Sequence, residues 1–420
     1  MADKSDYTRE SLLYGSDVLV IYRDPVTPPK PAPGQPGTHS NFTPHEPEIF
    51  IAVLSDSHIV AFNGHVDLGT GIRTALAQIV AEELSVAFDS VTMVLGNSVE
   101  APNQGPTIAS ASIQITAEPL RRAAAQAREY LLTLAAKHFD TERSLLSCQN
   151  GAITPSDNNR SSVSFGELLR GTRHALKLAD EVPLKPVSHY TLVGQSTSRV
   201  DIPAKATGQL TFIHDLRLPN MLHGRVIRPP YVGHDSGDFI GNSLIAVDES
   251  SVAHLPGVVS VVVVGDFVGV VAEREEQAAA AAKQLKIQWR PIEGLPQLDN
   301  IEQALLDLPS KQRILLEEGD LDSALAAAQH PLNRHYVWPF QLHGSIGPSC
   351  SVADANEDGL HVWSGTQNPH SLRADLARLT GLDEGVITIT RMETSGCYGR
   401  NCADDVGADA VLLSQAVGRP

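Results

Sequence analysis

The run Thr394 to Asn401 (TSGCYGRN) has a composition suited to close contact with a bound group. It follows the alternating apolar stretch 386–390, which predicts a strand. Gly396 lacks the Cβ that would block a close backbone approach, and Tyr398 supplies a flat ring face. A tight β-turn with the ring packed in a core explains the same residues, so the run predicts a site only together with other segments.

A second candidate lies in Gly64 to Gly71 (GHVDLGTG), between a predicted strand and a helix that starts near Thr74. Free backbone N–H groups at a helix start can bind an anion such as phosphate. The spacing of Gly69, Thr70 and Gly71 is not that of the dinucleotide fingerprint or the P-loop. Taken alone, these residues are more typical of an ordinary strand-to-helix turn than of an anion site.

Two further segments carry neutral hydrogen-bonding groups. In 104–114 (QGPTIASASIQ), Ser110 and Ser112 could donate to phosphate oxygens or pterin heteroatoms, or could cap the helix that follows. In 340–348 (FQLHGSIGP), the amide of Gln341 could donate to an oxo group without adding charge. Composition alone would leave the Gln341 side chain in an exposed loop.

The elements that must position these segments alternate between helix and strand, which predicts a mixed α/β fold. The stretch 268–289 reads strand, helix, strand and indicates a crossover unit, whereas 150–200 is polar and indicates a connection. Strands are predicted at 48–54, 58–62, 91–95, 224–227, 258–264, 268–272, 286–289, 334–337, 349–354, 360–363 and 386–390, and helices at 74–84, 121–138, 276–285, 321–329 and 371–379.

Composition excludes several classes of protein. The 420 residues carry a net charge of −17, which argues against a nucleic-acid partner. Four scattered cysteines argue against a disulfide framework, and Cys397 and Cys402 lack the further cysteines of an iron–sulfur run. There is no apolar leader at the N-terminus and no spanning apolar stretch. We therefore expect a soluble, cytoplasmic protein.

Taken as an ordered set, the segments resemble the large, molybdenum-cofactor-binding subunit of the xanthine oxidase (molybdenum hydroxylase) family. The resemblance is strongest to the nicotinate dehydrogenase and isoquinoline 1-oxidoreductase branch and runs from about residue 48 to the end. In addition to the segments above, it rests on 194–208 (GQSTSRVDIPAKATG), 220–230 (NMLHGRVIRPP) and 365–370 (GTQNPH).

The resemblance implies a fold of aldehyde oxidase–xanthine dehydrogenase type, with molybdopterin-binding domains flanking a small α/β hammerhead domain. On that basis four ranges are expected: an extended proline-rich arm at 1–47, a first part of the molybdopterin-binding region plus a connector at 48–193, the hammerhead domain at 194–300, and the first part of a molybdopterin-binding domain, truncated at its end, at 301–420.

The resemblance also implies roles for individual residues. Gln341 falls where the family has a Gln bonded to the apical oxo ligand, and Tyr398 falls on the aromatic residue beside the metal and the heterocycle. Thr70 stands where the family has a Gln that contacts the cofactor, which puts that contact in doubt. The residues expected to be catalytic are Gln341 and Tyr398, and those expected to bind the cofactor are Gly69, Thr70, Gly71, Ser110, Ser112, Gln341, Gly396, Tyr398, Gly399 and Arg400.

The implied activity is the hydroxylation of a carbon in an N-heteroaromatic such as nicotinate, with oxygen from water. The implied cofactor is a molybdenum–molybdopterin cytosine dinucleotide, the metal being held by the pterin dithiolene. Electrons would leave through 2Fe-2S clusters on a small partner protein to a cytochrome or flavin subunit. Such partners could also bring the assembly to the inner face of the cell membrane.

The family's catalytic glutamate has no counterpart in this sequence. We therefore expect a fragment, a truncated product, or one chain of a split large subunit that a second chain completes. The alternative function is not that of an enzyme: the chain would be a non-catalytic scaffold that keeps the fold without the active site. Thr70 and the missing glutamate are the features that favour this alternative.

Overall fold

The computed structural model describes residues 7–28, 40–156, 161–230, 241–291, 298–339, 341, 344, 346–394, 396–398 and 405–420. The fold is a mixed helix and sheet structure, as predicted. Its described helices are α1 (Arg9–Tyr14), α2 (Ile72–Leu84), α3 (Ala117–Phe139), α4 (Phe165–Leu169), α5 (Ile202–Ala206), α6 (Glu275–Gln284), α7 (Ile301–Asp307), α8 (Leu321–Ala327), α9 (Pro369–Thr380) and α10 (Asp405–Val417).

The described strands are arranged in separate small sheets. They are β1 (Val18–Arg23), β2 (Glu48–Val53), β3 (Ile59–Asn63), β4 (Val91–Leu95), β5 (Leu146–Gln149), β6 (Ala152–Pro155), β7 (Val163–Ser164), β8 (Arg173–Lys177), β9 (His223–Ile227), β10 (Leu244–Asp248), β11 (Val258–Val264), β12 (Phe267–Ala272), β13 (Lys286–Trp289), β14 (Ser351–Asn356), β15 (Gly359–Ser364) and β16 (Ile387–Arg391).

A five-stranded sheet in the order β4-β3-β2-β1-β8 organises the first part of the chain. Its central pairs, β1 with β2 and β2 with β3, are antiparallel, and the outer strands β4 and β8 pair in parallel. Every residue of β2 and β3 is buried because both sheet faces are covered. Helices α2 and α3 pack on one face and α1 on the other.

Two regions that the sequence assigns to irregular structure contribute to this sheet. Val18–Arg23 falls in the predicted extended arm, yet it forms β1, whose Leu19 and Ile21 are fully buried. Arg173–Lys177 falls in the predicted connection, yet it forms the edge strand β8. Both segments are short and lie beside proline-rich or polar sequence, so their strand character depends on tertiary pairing that local composition does not reveal.

The second part of the chain contains an antiparallel sheet, β11-β12-β9, and the antiparallel pair β10–β13. The predicted strands and the alanine-rich helix α6 are confirmed. The predicted crossover unit is wrong, because β12 and β13 lie in different sheets and β13 pairs antiparallel with β10. Local pattern thus predicts the elements of this region correctly, but it does not predict how they pair.

The third part contains β14, β15 and β16, with α9 and α10 packed around a small core. β14 pairs antiparallel and β16 parallel with β15. The strand predicted at 334–337 is wrong, since the described residues from 298 to 339 form only the short helices α7 and α8 and are almost entirely exposed. Of the described helices, none has the length and apolarity needed to cross a membrane.

Candidate functional site

Thr394 lies against Gly365, the residue that follows β15. A Cβ placed on Gly365 would lie 2.6 Å from Cγ2 of Thr394, so only glycine permits this approach. Gly396, with φ of 96°, lies directly beneath the ring of Tyr398. Tyr398 itself has a left-handed backbone (φ 52°), and its side chain is 56% exposed. The ring therefore presents an open face, as a wall for a bound molecule requires.

Gln367 connects this turn, called the Tyr398 turn (residues 396–398), to the serine-containing segment (residues 104–114). The thiol of Cys397 donates to Oε1 of Gln367 at 3.0 Å. Nε2 of Gln367 donates to the carbonyl of Thr107 at 2.8 Å, and the Thr107 N–H donates to the Gln367 carbonyl at 3.0 Å. One half-buried carboxamide thus holds two of the predicted segments together.

The serine-containing segment has an unusual backbone. Ala109 and Ser110 both have positive φ (53° and 55°), a costly conformation for residues with a side chain. They lead into a π-helical turn, Ser112–Thr116, that opens α3. Strained backbone and π-helical turns are both frequent at functional sites.

The two serines differ in what they can reach. Ser110 is exposed, so its hydroxyl is accessible to a ligand. Ser112 is buried, and its Oγ lies 2.6 Å from Nδ1 of the buried His65. Burial lowers the pKa of His65, so the ring is neutral at pH 7 and the pair is a neutral hydrogen bond. The Ser112 side chain thus packs against His65 in this structure.

The turn at Gly69–Gly71 is held by a carboxylate from its own segment. Asp67 is buried; its Oδ1 accepts from the N–H groups of Gly69 (2.8 Å) and Gly71 (3.2 Å), and its Oδ2 from Arg73 N–H (2.9 Å). The expected free anion-binding donors at Gly69 and Gly71 are therefore occupied by Asp67. Thr70 is exposed at the tip of the turn.

Glu393, two residues beyond β16, is engaged by basic groups. Its Oε1 accepts from Nη1 of Arg391 at 2.8 Å, and its Oε2 lies 3.4 Å from Nζ of Lys205. Its backbone carbonyl accepts from the Ile213 N–H at 2.9 Å. Arg391 is buried and also donates to the Asp67 carbonyl. A carboxylate with these partners anchors the backbone at the end of the segment that follows β16.

The remaining predicted residues divide into two groups. Gln341 is exposed, and no hydrogen bond of its side chain is seen within the described ranges. Gly399 and Arg400 lie outside the described residues. Through Gln367, which has no role predicted from the sequence, the structure joins the turn that carries Gly396 and Tyr398 to the segment that carries Ser110.

A cavity of about 570 Å³ lies elsewhere, between β9, α10 and residues 348–353. Its wall is largely apolar, and the basic side chains around it include two paired ones, Arg225 with Glu275 and Arg228 with Asp409. None of the predicted site residues that the structure describes lines this cavity. Pocket size alone therefore does not identify the site.

Sequence reasoning missed Gln367 and Asp67. A signal for Gln367 exists, because the segment 365–370 carries part of the family resemblance. Asp67 could have been found from its position two residues before Gly69, since Asp side chains commonly accept from backbone N–H groups two residues on. The contacts of Arg391 with Asp67 and of Glu393 with Lys205 gave no local signal, because these partners are distant in sequence.

Two segments match family models described as molybdopterin cofactor-binding domains, at residues 31–211 and 307–420. A nicotinate dehydrogenase subunit of Pseudomonas putida is 59% identical over 98% of this chain and 34% of its own length. The beta subunit of isoquinoline 1-oxidoreductase from Brevundimonas diminuta is 25% identical over 89% of this chain and 53% of its own. Quinoline 2-oxidoreductase from Pseudomonas putida 86 superposes with a TM-score of 0.42 at 19% identity, over 54% of this chain and 34% of that one.

The family models and the two sequence relatives define the chain as molybdopterin-binding. It belongs to the xanthine oxidase, or molybdenum hydroxylase, family, in the branch that contains nicotinate dehydrogenase and isoquinoline 1-oxidoreductase. The chain spans about a third of the length of the first of these relatives and about half of the second. Residues 212–306, which lie between the ranges matched by the two family models, contain β9 to β13 and α6.

Proposed function

We propose that this chain forms one side of a molybdopterin site in an enzyme that hydroxylates an N-heteroaromatic carboxylate such as nicotinate. The observation that carries the proposal is the contact of Gln367 with both Thr107 and Cys397, because it joins the serine-containing segment to the Tyr398 turn. High identity to a nicotinate dehydrogenase supports the choice of substrate class. When bound, the molybdenum cofactor supplies the redox centre for oxidation of a ring carbon.

The donors at the site fit a cofactor whose metal is held by its own organic ligand. Among the described residues they are neutral: an amide at Gln367, hydroxyls at Ser110 and Thr70, and the ring of Tyr398. Across the described ranges, no three His, Cys, Asp or Glu side chains are grouped to bind a metal ion directly. The residues proposed to hold the cofactor are Gly69, Thr70, Gly71, Ser110, Ser112, Gly396, Tyr398, Gly399 and Arg400. Of these, the N–H groups of Gly69 and Gly71 are bonded to Asp67 and the Ser112 hydroxyl to His65 in this structure, so the proposal requires these three to approach the cofactor through other atoms.

For the glutamine that faces the metal, we propose Gln367 in place of Gln341. Gln367 is half-buried, and its amide is fixed at both ends next to the Tyr398 turn, whereas Gln341 is exposed. A fixed amide can donate in one direction without a reorganisation cost. Tyr398 would bound the heterocycle with its open ring face.

The proposal includes groups that this chain does not provide. The family's catalytic glutamate has no counterpart in this sequence, and Glu393, the carboxylate near the Tyr398 turn, is bound by Arg391 and Lys205. The cytosine dinucleotide form of the cofactor, a 2Fe-2S small subunit, and a cytochrome or flavin acceptor complete the proposed assembly. The same proposal includes a second polypeptide that completes the large subunit.

The test is purification of an assembly containing this chain from a host that makes the cofactor. Molybdenum and cytosine nucleotide are quantified, and nicotinate turnover is measured. We expect both cofactor components to be present, and Gln367→Ala to lower kcat by about a hundredfold while Gln341→Ala does not. Equal effects of the two variants would refute the assignment of Gln367, and an assembly without molybdenum would refute the proposal.

The second candidate is the non-catalytic scaffold. It is favoured by the Gly69–Gly71 turn, whose N–H groups are taken by Asp67, and by Thr70 at its tip. Under this alternative the assembly would contain the chain but would not turn over nicotinate. Turnover that depends on Gln367 excludes it.

A further inference from the structure

We propose that Arg199, Asp201 and Lys205 form a clamp that sets the position of the Gly69–Gly71 turn relative to the 393–398 segment. The inference rests on the proposed function, since both segments are proposed to hold the cofactor. None of the three residues is among those proposed to touch the cofactor, so they are positioning residues. Their effect passes through Gly69 on one side and Glu393 on the other.

The contact with the first segment is made by Arg199. Its Nη1 donates to the carbonyl of Gly69 at 2.7 Å. The neighbouring Val200 N–H donates to Oγ1 of the buried Thr74 in α2 at 3.0 Å. The chain around Arg199 therefore lies against both the tip of the turn and the helix that follows it.

Asp201 joins the two basic residues. Its carboxylate accepts from Nε and Nη2 of Arg199 at 3.0 and 2.5 Å, a bidentate geometry, and from Nζ of Lys205 at 2.7 Å. The side chain of Asp201 is only 8% exposed, so water screens these contacts weakly. The hydrogen bond from Arg199, together with Lys205, holds the pKa of Asp201 well below its usual range. Asp201 is therefore charged throughout the neutral and mildly acidic range.

The contact with the second segment is made by Lys205. Its Nζ lies 3.4 Å from Oε2 of Glu393 and 2.7 Å from Asp201, so the ammonium is shared between the two carboxylates. Glu393 is in turn bonded to Arg391, whose guanidinium donates to the Asp67 carbonyl beside the first turn. The path runs from Gly69 through Arg199, Asp201, Lys205 and Glu393 to Arg391 and returns to the first segment at Asp67.

A closed path of charge-assisted hydrogen bonds constrains relative position more than separate pairs do, because each side chain is already ordered by its neighbours. Removing the charge of Asp201 opens the path at its centre; among the helices and strands it affects only the short α5, through the pair with Lys205. The clamp therefore predicts that one substitution changes two distant backbone segments at once, which a locally structural role does not predict.

The test compares Asp201→Asn and Lys205→Met with Glu275→Gln, which breaks the exposed Arg225–Glu275 pair. Hydrogen–deuterium exchange of the chain without cofactor is the first readout. We expect both clamp variants to raise exchange about tenfold at Gly69, Gly71 and Ile213, with no change in α3, and the control to change neither. Unchanged exchange at one of the two segments, or faster exchange throughout, would overturn the clamp.

Cofactor retention during dialysis of the loaded assembly is the second readout. The positioning role predicts faster loss in Asp201→Asn and Lys205→Met than in wild type or Glu275→Gln. Retention equal to wild type, in variants whose exchange has changed, would overturn the positioning role. A wild-type assembly that never holds the cofactor would overturn the proposed function, and the exchange result would still decide whether the clamp exists.

Discussion

The thiol of Cys397 donates to the side-chain oxygen of Gln367 across 30 residues of chain. Cys397 is 5% exposed, and the same amide donates onward to Thr107. This contact fixes which end of the Gln367 carboxamide faces the Tyr398 turn. It also makes the cysteine a probe of the site that can be read without cofactor.

Gln367→Leu should expose the Cys397 thiol to reagents. The substitution removes the acceptor and the bond to Thr107, so the turn opens more often and alkylation of Cys397 should speed up by about fivefold. The rate is measured by mass spectrometry of the Cys397 peptide after timed iodoacetamide treatment. Gln341→Leu is the matched control and should leave the rate unchanged. An unaltered rate in Gln367→Leu would show that the hydrogen bond does not order the turn.

Gly396→Ala should destabilise the protein through the ring of Tyr398. An added Cβ would lie 2.6 Å from Cε2 of Tyr398, and the backbone there has positive φ. Gly208→Ala is the control, because Gly208 also has positive φ but has nothing within 4 Å of the added Cβ. We expect Gly396→Ala to lower the free energy of unfolding by about 1 to 3 kcal/mol more than Gly208→Ala, measured by urea titration. Equal losses would mean that the ring moves aside freely.

Part of the fold and of the candidate site could be predicted from the sequence, and part could not. The local sequence pattern is sufficient to predict α2, α3, β2 and β3, because their apolar character is strong and both faces of the sheet are covered. Residue type is also sufficient to identify Tyr398 and Ser110 as candidate residues of the site. The contacts of Gln367 could not be predicted, and neither could those that join the clamp to Gly69 and Glu393, since these partners lie far away along the chain and no local property encodes them.

The strands β1 and β8 illustrate the same limit for the fold. Each is short, and sequence alone assigns each to irregular structure because its neighbours are proline-rich or polar. Only their pairing, β1 with β2 and with β8, gives them a strand conformation. The crossover prediction for β12 and β13 fails for the related reason that strand order is a tertiary property.

His370 should make the protein sensitive to acid. Burial, together with the positive charges of Arg373, Arg23 and Arg9, lowers the pKa of His370 from 6.5 to about 3. Neither ring nitrogen has a hydrogen-bond partner in the described structure. The unfolded chain therefore binds a proton near pH 6.5 that the folded chain does not bind. The free energy of unfolding is therefore not reduced by this difference above about pH 6.5. It falls as the pH drops from there towards 3, by about 1.4 kcal/mol per pH unit for one such group.

His370→Leu should remove this part of the pH dependence. Because it also removes two unpaired buried polar atoms, stability at pH 7.5 should be equal to wild type or higher. Urea titrations at pH 7.5, 6 and 5 give the slope, and His330→Leu, at an exposed histidine, serves as control. A slope between pH 6 and 5 that is the same in wild type and His370→Leu would show that His370 is already protonated in the folded protein.

Glu82 in α2 should be a stability determinant of the first part of the chain. Its Oε2 accepts from the N–H groups of residues 191–193 at 2.8, 2.6 and 3.0 Å, and Oε1 is 2.9 Å from Nζ of Lys185. Burial alone would raise the pKa of Glu82, but the hydrogen bonds, first that from Leu192, lower it overall. Its contribution is therefore present above about pH 4.5 and is lost as the pH falls below that value.

Glu82→Gln replaces an acceptor of several hydrogen bonds by an amide whose NH₂ cannot accept any of them. At pH 7 we expect a loss of about 2 to 4 kcal/mol in the free energy of unfolding, because Lys185 and the three N–H groups are left without a charged partner. The loss should shrink as the pH falls below 4.5, because the unfolded wild-type chain then binds a proton at Glu82 and the lowered pKa contributes less stability. Glu118→Gln, in α3 at an exposed pair with Arg122, should cost less than about 0.5 kcal/mol. Similar losses in both variants at pH 7 would mean that the segment 185–193 is not anchored through Glu82.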